Sequence, residues 1–320
     1  MQHLRQIRRL CSAAFVIGAA VSLGACDVVI NSMDGEFGGG HFKAEKAYAK
    51  TFTLGGAAST VEIVNTNGKI TVQAVDGNMV DVKATITAKG ASDQAAAELL
   101  KQVEISEDVS PTLVRLATKK LAQRGRNAVE VVYTLRVPRN VQVNLQNVNG
   151  AIDITGMQAS VRVETTNGNV KARGLGGSVE ASTTNGGLDI QMAGLGPDGV
   201  RLDTTNGGID LRLPADAKAS LAARCINGGI SVTDLPFEKD ADSNRRRVDG
   251  KINGGGAPLK LETVNGGVRV RLAEAGGKES GKPEAGGKER GKVSSDLDRL
   301  HDLHGLKGLK ALKGLHGHVG

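Results

Sequence analysis

Three stretches of the chain repeat one pattern: VRVETTNGNVKARG (161–174), VEASTTNGGLDIQM (179–192) and VRLDTTNGGIDLRL (200–213). In each, apolar and polar residues alternate on both sides of an Asn-Gly pair, which is typical of two half-buried β-strands joined by a bend. The pair recurs at Asn67, Asn149, Asn167, Asn185, Asn206, Asn227, Asn253 and Asn265. From Asn149 to Asn227 the intervals are 18, 18, 21 and 21 residues, and a period near 20 predicts a solenoid of stacked repeats.

The charged columns favour this solenoid over the alternative, a meander of antiparallel hairpins. Equivalent positions in successive repeats carry Arg162, Glu180 and Arg201, so stacking in register would place opposite charges side by side. In another column Asp203 is followed by Arg224 and, after a gap, by Glu262. We therefore predict an all-β solenoid with a ladder of side-chain amides along one edge. Its predicted rungs are Asn149, Asn167, Asn185, Asn206, Asn227 and Asn265.

The N-terminal part of the body differs from the repeats. We predict a strand over 80–88, a helix from Ser92-Asp93 through Gln102, and strands near 103–106, 113–118 and 129–137. The helix would cover one end of the solenoid, because an open stack exposes a strand edge. We assign 51–140 to this strand-helix-strand part and 141–272 to the solenoid repeats.

Four segments carry a resemblance to a known family. They are VYTLRVP (132–138), TTNG (165–168), GKINGGG (250–256) and LETVNG (261–266). In this order the chain from about Thr51 to Leu272 resembles the bacterial putative-adhesin family of β-strand-repeat proteins, a domain of unknown function. The resemblance implies a right-handed parallel β-helix and an envelope or surface setting, and it identifies no active site.

The N-terminus predicts export and a lipid anchor. Residues 1–25 combine an Arg-rich start with an apolar stretch too short to span a bilayer, as a signal peptide does. The stretch ends in Leu-Gly-Ala-Cys, which resembles the bacterial lipobox, so Cys26 is the predicted site of acylation, including palmitate. Asp27 resembles an inner-membrane retention signal, although the leaflet stays open. Residues 26–50 are assigned to a glycine-rich tether.

Composition excludes several classes of partner. Aromatic residues make up 2% of the chain and Trp is absent, which disfavours stacking of bases or sugars. Signal cleavage would remove three of the 41 basic residues and none of the 34 acidic ones. The small remaining excess does not indicate nucleic-acid binding. Cys225 would be the one cysteine left unmodified, and alternation predicts that it points inward.

The repeats contain no strong sequence motif for catalysis or for metal binding. The Asn-Gly edge could bind polysaccharide or calcium, but a bend needs these residues anyway, and the Asn-Gly-Gly copies lack calcium-ligand spacing. A polysaccharide lyase or hydrolase would use clustered carboxylates and cations. The candidate surface cluster is Asp189, Arg201, Asp203, Asp210 and Arg224. A solvated face explains the same charges, so we predict no catalytic residues, no metal and no cofactor.

The tail, 273–320, is a low-complexity segment rich in Gly, Lys and Glu and then in Leu, Lys and His. Its leucines recur every third residue and form no single apolar stripe on a helix.

Taken together, these features predict a non-enzymatic, lipid-anchored envelope protein, adhesin-like or a scaffold, whose partners are the membrane and an envelope protein or polysaccharide. Two alternatives remain open: a polysaccharide-active enzyme, and an envelope-stress or peptide sensor whose tail contacts a partner.

Overall fold

Each Asn-Gly repeat forms one coil of two strands. In six repeats the first strand ends at the Asn and the second begins three residues later, as in Val161–Asn167 and Val170–Leu175. The computed structural model describes residues 28–31, 42–56, 59–119 and 128–273. These residues all belong to one structural unit, Met1–Ala275, and a second unit, Gly276–Gly320, lies outside them.

The second strands of the coils lie in sheet A together with strands from the N-terminal part. This sheet has eleven strands in all, and the numbering follows the chain through both sheets. They are β1 (Val28–Asn31), β2 (Phe42–Thr53), β4 (Ile70–Val75), β5 (Met79–Gly90), β8 (Ala128–Pro138), β10 (Ile152–Thr155), β12 (Val170–Leu175), β14 (Leu188–Met192), β16 (Ile209–Leu213), β18 (Ile230–Thr233) and β22 (Val268–Leu272). Their spatial order is β1-β2-β5-β8-β4-β10-β12-β14-β16-β22-β18.

The first strands of the coils lie in sheet B, which also has eleven strands. They are β3 (Thr60–Val64), β6 (Ile105–Ser110), β7 (Leu113–Thr118), β9 (Gln142–Asn149), β11 (Val161–Asn167), β13 (Val179–Asn185), β15 (Val200–Asn206), β17 (Ala219–Asn227), β19 (Phe237–Lys239), β20 (Arg247–Ile252) and β21 (Ala257–Asn265). Their spatial order is β19-β20-β17-β21-β15-β13-β11-β9-β3-β7-β6.

Neighbouring coils pair in parallel and in register, which confirms the predicted solenoid and excludes the meander. Asn167 lies opposite Asn149 on one side and Asn185 on the other. Arg162 lies opposite Glu180, and its guanidinium donates to the Glu180 carboxylate at 2.8 Å. The residues of alternating charge in the sequence therefore contact each other between neighbouring coils.

The order of the coils departs from the order of the chain at both ends of the stack. Strands β21 and β22 insert between β15 and β17 and between β16 and β18. As a result Glu262 separates Asp203 from Arg224, and the sequence expectation that Arg224 follows Asp203 directly is wrong. At the other end, β7 and β8 lie outside β3 and β4, although they follow them in the chain. The inserted coil fits because its inward apolar residues and its ladder Asn match those of the coils on both sides.

The core is a narrow aliphatic layer between the two sheets. Its buried columns come from the alternating inward positions, for example Val163 and Ala181 in sheet B and Ile154 and Ile190 in sheet A. Tyr133 on β8 is the largest fully buried side chain, and its hydroxyl lies 2.8 Å from Thr118 Oγ1. Burial raises the pKa of Tyr133 to about 12, against the opposing effect of the Thr118 hydrogen bond.

The N-terminal part is continuous with the stack. Four of its strands, β3, β4, β7 and β8, pair in the same sheets as the later repeats, so the boundary placed between residues 140 and 141 does not separate two structural parts. Helix α1 (Asp93–Gln102) begins after Ser92, whose hydroxyl accepts from the Ala95 N–H at 3.1 Å. Its buried Leu99 and Leu100 belong to the hydrophobic core, and the helix contacts β5 and β2.

The expectation of a tether over 26–50 is wrong for the described residues of that range. Strand β2 pairs antiparallel with β5 over twelve residues, and β1 pairs with β2. Only Ala44 and Phe52 on β2 are buried, and its many Lys and Ala residues hide the alternation in the sequence. The predicted signal peptide, 1–25, and the tail beyond Ala273 lie outside the described residues. Within the described ranges, no helix has the length and apolar character needed to cross a bilayer.

Candidate functional site

The asparagines of the repeats form a continuous chain of side-chain hydrogen bonds along one edge of the stack. Asn167 Nδ2 donates to Asn149 Oδ1 at 2.8 Å, and Asn185 Nδ2 donates to Asn167 Oδ1 at 2.7 Å. The chain runs in stack order and in one direction, with all donor–acceptor distances between 2.7 and 2.9 Å. Its members are Asn67, Asn149, Asn167, Asn185, Asn206, Asn265 and Asn227.

The eighth Asn-Gly pair is not part of this ladder. Asn253 has a φ of 49° and donates to the carbonyls of Ala215 and Ala217 at 3.0 and 2.8 Å. Each amide of the ladder joins its coil to a neighbouring coil and keeps the two aligned.

The glycine that follows each ladder Asn is required by the closeness of the coils. A Cβ at Gly168 or Gly186 would overlap the carbonyl oxygen of the glycine one coil before, Gly150 or Gly168. Neither residue has a φ in the left-handed region, so close approach of two backbones, and not the bend conformation, requires glycine there. At Gly68 and Gly150, with φ values of 120° and 142°, the backbone conformation favours glycine as well.

A second polar column runs inside the stack, two residues before each ladder Asn. Thr183 Oγ1 donates to Gly168 O at 3.2 Å, and Thr204 Oγ1 donates to Gly186 O at 3.0 Å. Thr165 Oγ1 has no hydrogen-bond partner within the described chain, and Gly150 O accepts from Asn147 Nδ2 at 3.1 Å. Cys225 occupies the same column with 5% of its surface exposed, so the inward orientation predicted for this thiol is confirmed.

The predicted surface cluster is divided between two sheets. Asp189 and Asp210 lie on the outer face of sheet A, on β14 and β16. Arg201, Asp203 and Arg224 lie on the outer face of sheet B, on β15 and β17. The five residues therefore do not form one face, because a strand before the Asn and a strand after it belong to different sheets.

On sheet A the two aspartates join an arginine network. Arg173 makes a bidentate contact with Asp189 at 2.9 and 2.8 Å, and Arg212 reaches the same carboxylate at 2.9 Å. Arg271 makes a bidentate contact with Asp210 at 3.1 and 2.6 Å. Burial opposes ionisation of Asp189, but the hydrogen bond from Arg173 and the nearby positive charges outweigh it and lower its pKa. Both carboxylates thus pair with guanidinium groups of neighbouring strands.

On sheet B the charged side chains also pair with each other. Arg201 Nε donates to Asp203 at 2.9 Å, and Arg224 donates to Asp249 of β20 at 2.9 Å. A shallow groove of about 560 Å³ lies beside these residues on the outer face. Ten of its twelve lining residues are polar or charged, Thr184, Thr205 and Arg224 among them, whereas most small-molecule sites are lined mainly by hydrophobic side chains.

Sequence reasoning missed a feature of the bends. In four coils a second glycine follows the first, directly before β14, β16, β22 and β18. The doubled glycine is visible in the sequence as Asn-Gly-Gly, but as a motif it indicates only an incomplete calcium repeat. Among the described residues, no three His, Cys, Asp or Glu side chains are grouped so that they could hold a metal ion. Cys26 lies outside the described residues.

The fold and its edge ladder define a parallel, two-sheet β-solenoid built from Asn-Gly coils. The family model of Toastrack DUF4097 matches residues 57–271. The chain belongs to this family, a putative-adhesin domain of unknown function, and the resemblance stated from the sequence is confirmed.

Solved structures with similar chains come from other bacteria. A putative cell adhesion protein from Clostridium sporogenes ATCC 15579 is 14% identical, with 72% of this chain and 100% of that chain covered and a TM-score of 0.45. A putative adhesin from Bacteroides fragilis NCTC 9343 is 9% identical, with coverages of 71% and 97% and a TM-score of 0.30. No curated protein matches the chain.

Proposed function

We propose that the protein is a non-enzymatic binding scaffold of the bacterial cell envelope, adhesin-like in role, whose outer sheet faces hold a protein or polysaccharide partner. The observation that carries this proposal is that the charged side chains pair with one another. On both outer faces most carboxylates pair with cations of the same or a neighbouring coil, as in Arg173–Asp189 and Arg162–Glu180. They build two flat surfaces, and they do not converge in a cleft where a bond could be broken.

The separation of the candidate carboxylates supports a role without catalysis. Glycoside hydrolysis needs two carboxyl groups on opposite sides of one bond. Asp189 and Asp203 belong to different sheets. Asp189 and Asp210 are neighbours on sheet A, but both lie on one side, and each is bound by arginines of the sheet. Cleavage of an envelope glycan that is lost in Asp189→Asn or Asp210→Asn, with the fold intact, would contradict the proposal.

The proposal includes a lipid anchor at Cys26, supported by the Leu-Gly-Ala-Cys motif after an apolar stretch. With two or three acyl chains the anchor is stable, whereas one chain alone binds reversibly. Labelled palmitate should enter the wild-type protein and should not enter the Cys26→Ala variant. A wild-type protein that takes up no label would contradict the anchor, and fractionation of the two membranes would show whether Asp27 retains it at the inner one.

We also propose that the coils wind in the right-handed sense. Each coil leads from one strand through a crossover to a parallel strand of the same sheet, and such connections are right-handed in nearly all proteins. A crystal structure with left-handed coils would overturn this part.

The binding role is tested by cross-linking in intact envelopes. The wild-type protein should become cross-linked to a defined envelope component through residues on the outer faces of coils β11–β12 to β21–β22. The control keeps the same anchor, but an unrelated folded domain of similar size replaces residues 42–273. Recovery of no component above that control, at several cross-linker lengths, would contradict the proposed scaffold.

A further inference from the structure

One Asn-Gly pair of the ladder lacks a hydrogen bond that the other six make. In those six coils the glycine after the ladder Asn donates its backbone N–H to the Asn carbonyl of the next coil, as Gly186 does to Asn206 at 3.0 Å. All six of these bonds measure 2.8–3.0 Å. Gly228 belongs to the terminal coil, beyond which no further Asn-Gly coil lies. Within the described ranges its N–H donates to no acceptor.

The loop beside the terminal coil contacts the backbone on both sides of Gly228 but leaves Gly228 itself uncovered. On one side, the carbonyl of Arg246 accepts from the Cys225 N–H at 2.8 Å. On the other side, the carbonyl of Arg245 accepts from the Ile230 N–H at 3.2 Å. Gly228 lies between these two contacts and is exposed to solvent. Its nitrogen is therefore accessible to water and is not held in the sheet.

The side chain of Asn227 is also held from one side only. Its Nδ2 donates to Asn265 Oδ1 at 2.8 Å, and its own Oδ1 accepts no hydrogen bond within the described chain. An inner amide such as that of Asn185 both donates and accepts. Exposure does not distinguish the two, because Asn185 and Asn227 are both exposed. The terminal pair differs by the absence of two hydrogen bonds, one at the side chain and one at the glycine nitrogen.

We propose that Asn227 is a site of spontaneous deamidation, and that stacking protects the other ladder asparagines from the same reaction. The Gly228 nitrogen, after losing its proton to hydroxide, attacks Cγ of Asn227. The bond from Cγ to Nδ2 breaks, and Nδ2 takes a proton from water and leaves as ammonia. Water then opens the cyclic imide at either carbonyl, which gives aspartate or isoaspartate. Glycine permits the attack because it has no Cβ beside the nitrogen. This inference goes beyond the proposed scaffold function and does not depend on it.

Deamidation at this position loosens the end of the stack. An ionised aspartate is an acceptor only, so it cannot donate to Asn265 Oδ1, and the terminal bond of the ladder is lost. Isoaspartate also lengthens the backbone between β17 and β18 by one carbon, which disturbs the register of both strands with the inserted coil. Strand β18 is the more sensitive of the two, because it is an edge strand that pairs with β22 alone.

The rates of deamidation at the eight Asn-Gly pairs of the full-length protein test the proposal. The protein is incubated at neutral pH, and peptide mapping by mass spectrometry follows aspartate and isoaspartate at each pair. Asn227 should react about tenfold faster than Asn185, which must break two further hydrogen bonds. Asn253 is the control outside the ladder, and it should also react more slowly than Asn227, because its amide donates to two carbonyls. In urea, where the stack is lost, all eight pairs should react at similar rates.

The Asn227→Ala variant tests whether the neighbouring coil supplies the protection. Asn265 then loses one of its two ladder bonds and should deamidate about threefold faster than in wild type. Asn185, three coils from Asn227, should keep its wild-type rate and serves as the internal control. Faster reaction of any other Asn-Gly pair than of Asn227 in the folded wild type would overturn the site. Equal rates in folded and urea-unfolded protein, or an unchanged rate at Asn265 in the variant, would overturn protection by stacking.

Discussion

At the scale of single residues, two adjacent glycines in the same repeat serve different purposes. Gly186 faces the carbonyl oxygen of Gly168 in the coil before it, with no space for a Cβ. Gly187 has ordinary space around it, with Gly208 O at 3.4 Å from the Cβ position. The first glycine is a condition of stacking, and the second is not.

Alanine substitution should separate these purposes. We expect Gly186→Ala to lower the free energy of unfolding by roughly 1–3 kcal/mol, because two coils must move apart. Its neighbour Gly187→Ala should change this quantity by less than about 0.5 kcal/mol, as for other surface positions. Chemical denaturation of both variants measures the difference. Equal losses in the two variants would show that the bend, and not close approach, selects glycine.

Tyr133 should make the fold sensitive to alkali. Its pKa is raised to about 12 in the folded protein, whereas an exposed phenol titrates near 10. The buried neutral phenol thus contributes stability that is full below pH 10 and is lost as pH rises from about 10 to about 12. The expected loss is roughly 2–3 kcal/mol.

Tyrosinate absorbance tests this in Tyr48→Phe, where Tyr133 is the one remaining tyrosine. Its ionisation should coincide with unfolding, and Tyr133→Phe should remove this part of the alkaline loss. Ionisation near pH 10 in a chain that stays folded would contradict the burial of this phenol.

At the scale of elements, the asparagine ladder joins strands that share no turn. Asn185 donates to Asn167 and accepts from Asn206, so it takes part in two hydrogen bonds of the ladder. Asn227, at the end of the stack, makes one such bond, to Asn265. Each bond stabilises by about 0.5–1.5 kcal/mol, since exposed amides exchange it for water.

Replacing each asparagine by alanine should show the difference between inner and terminal rungs. Asn185→Ala should reduce the free energy of unfolding by about twice as much as Asn227→Ala, roughly 1–3 against 0.5–1.5 kcal/mol. Thermal and urea unfolding of the two variants provide the comparison. A terminal loss as large as the inner one would mean that the amides act within their own turn and not between coils.

The elements could largely be predicted because each leaves a local pattern. Strands such as Leu113–Thr118 and the helix after Ser92 follow from alternation and capping over a few residues. Strand β2 could not be predicted, because Lys and Ala dominate it and its twelve partners on β5 lie about 40 residues away on average. The doubled glycines are visible in the sequence, but which of the two has space for a Cβ depends on the neighbouring coil.

At the scale of the whole molecule, the sequence predicts stacking but not the order of the stack. The inward residues and the ladder Asn are similar in every repeat, and β21 pairs in register with both β15 and β17. The interval of 38 residues after Asn227 permits the chain to return and insert, using β19 and β20 to cover the end of sheet B. The predicted surface cluster is divided for a different reason, since the strands before and after the ladder Asn join different sheets.

Cross-linking of engineered cysteines tests the inserted coil, the claim on which the stack and both faces depend. In a chain whose three native cysteines are replaced, pairs are placed at 203 and 262, at 224 and 262, and at 203 and 224. A thiol reagent that spans one strand spacing of about 4.8 Å should link the first two pairs and not the third. Linkage of 203 to 224, with none to 262, would show that the coils follow chain order and would contradict this account.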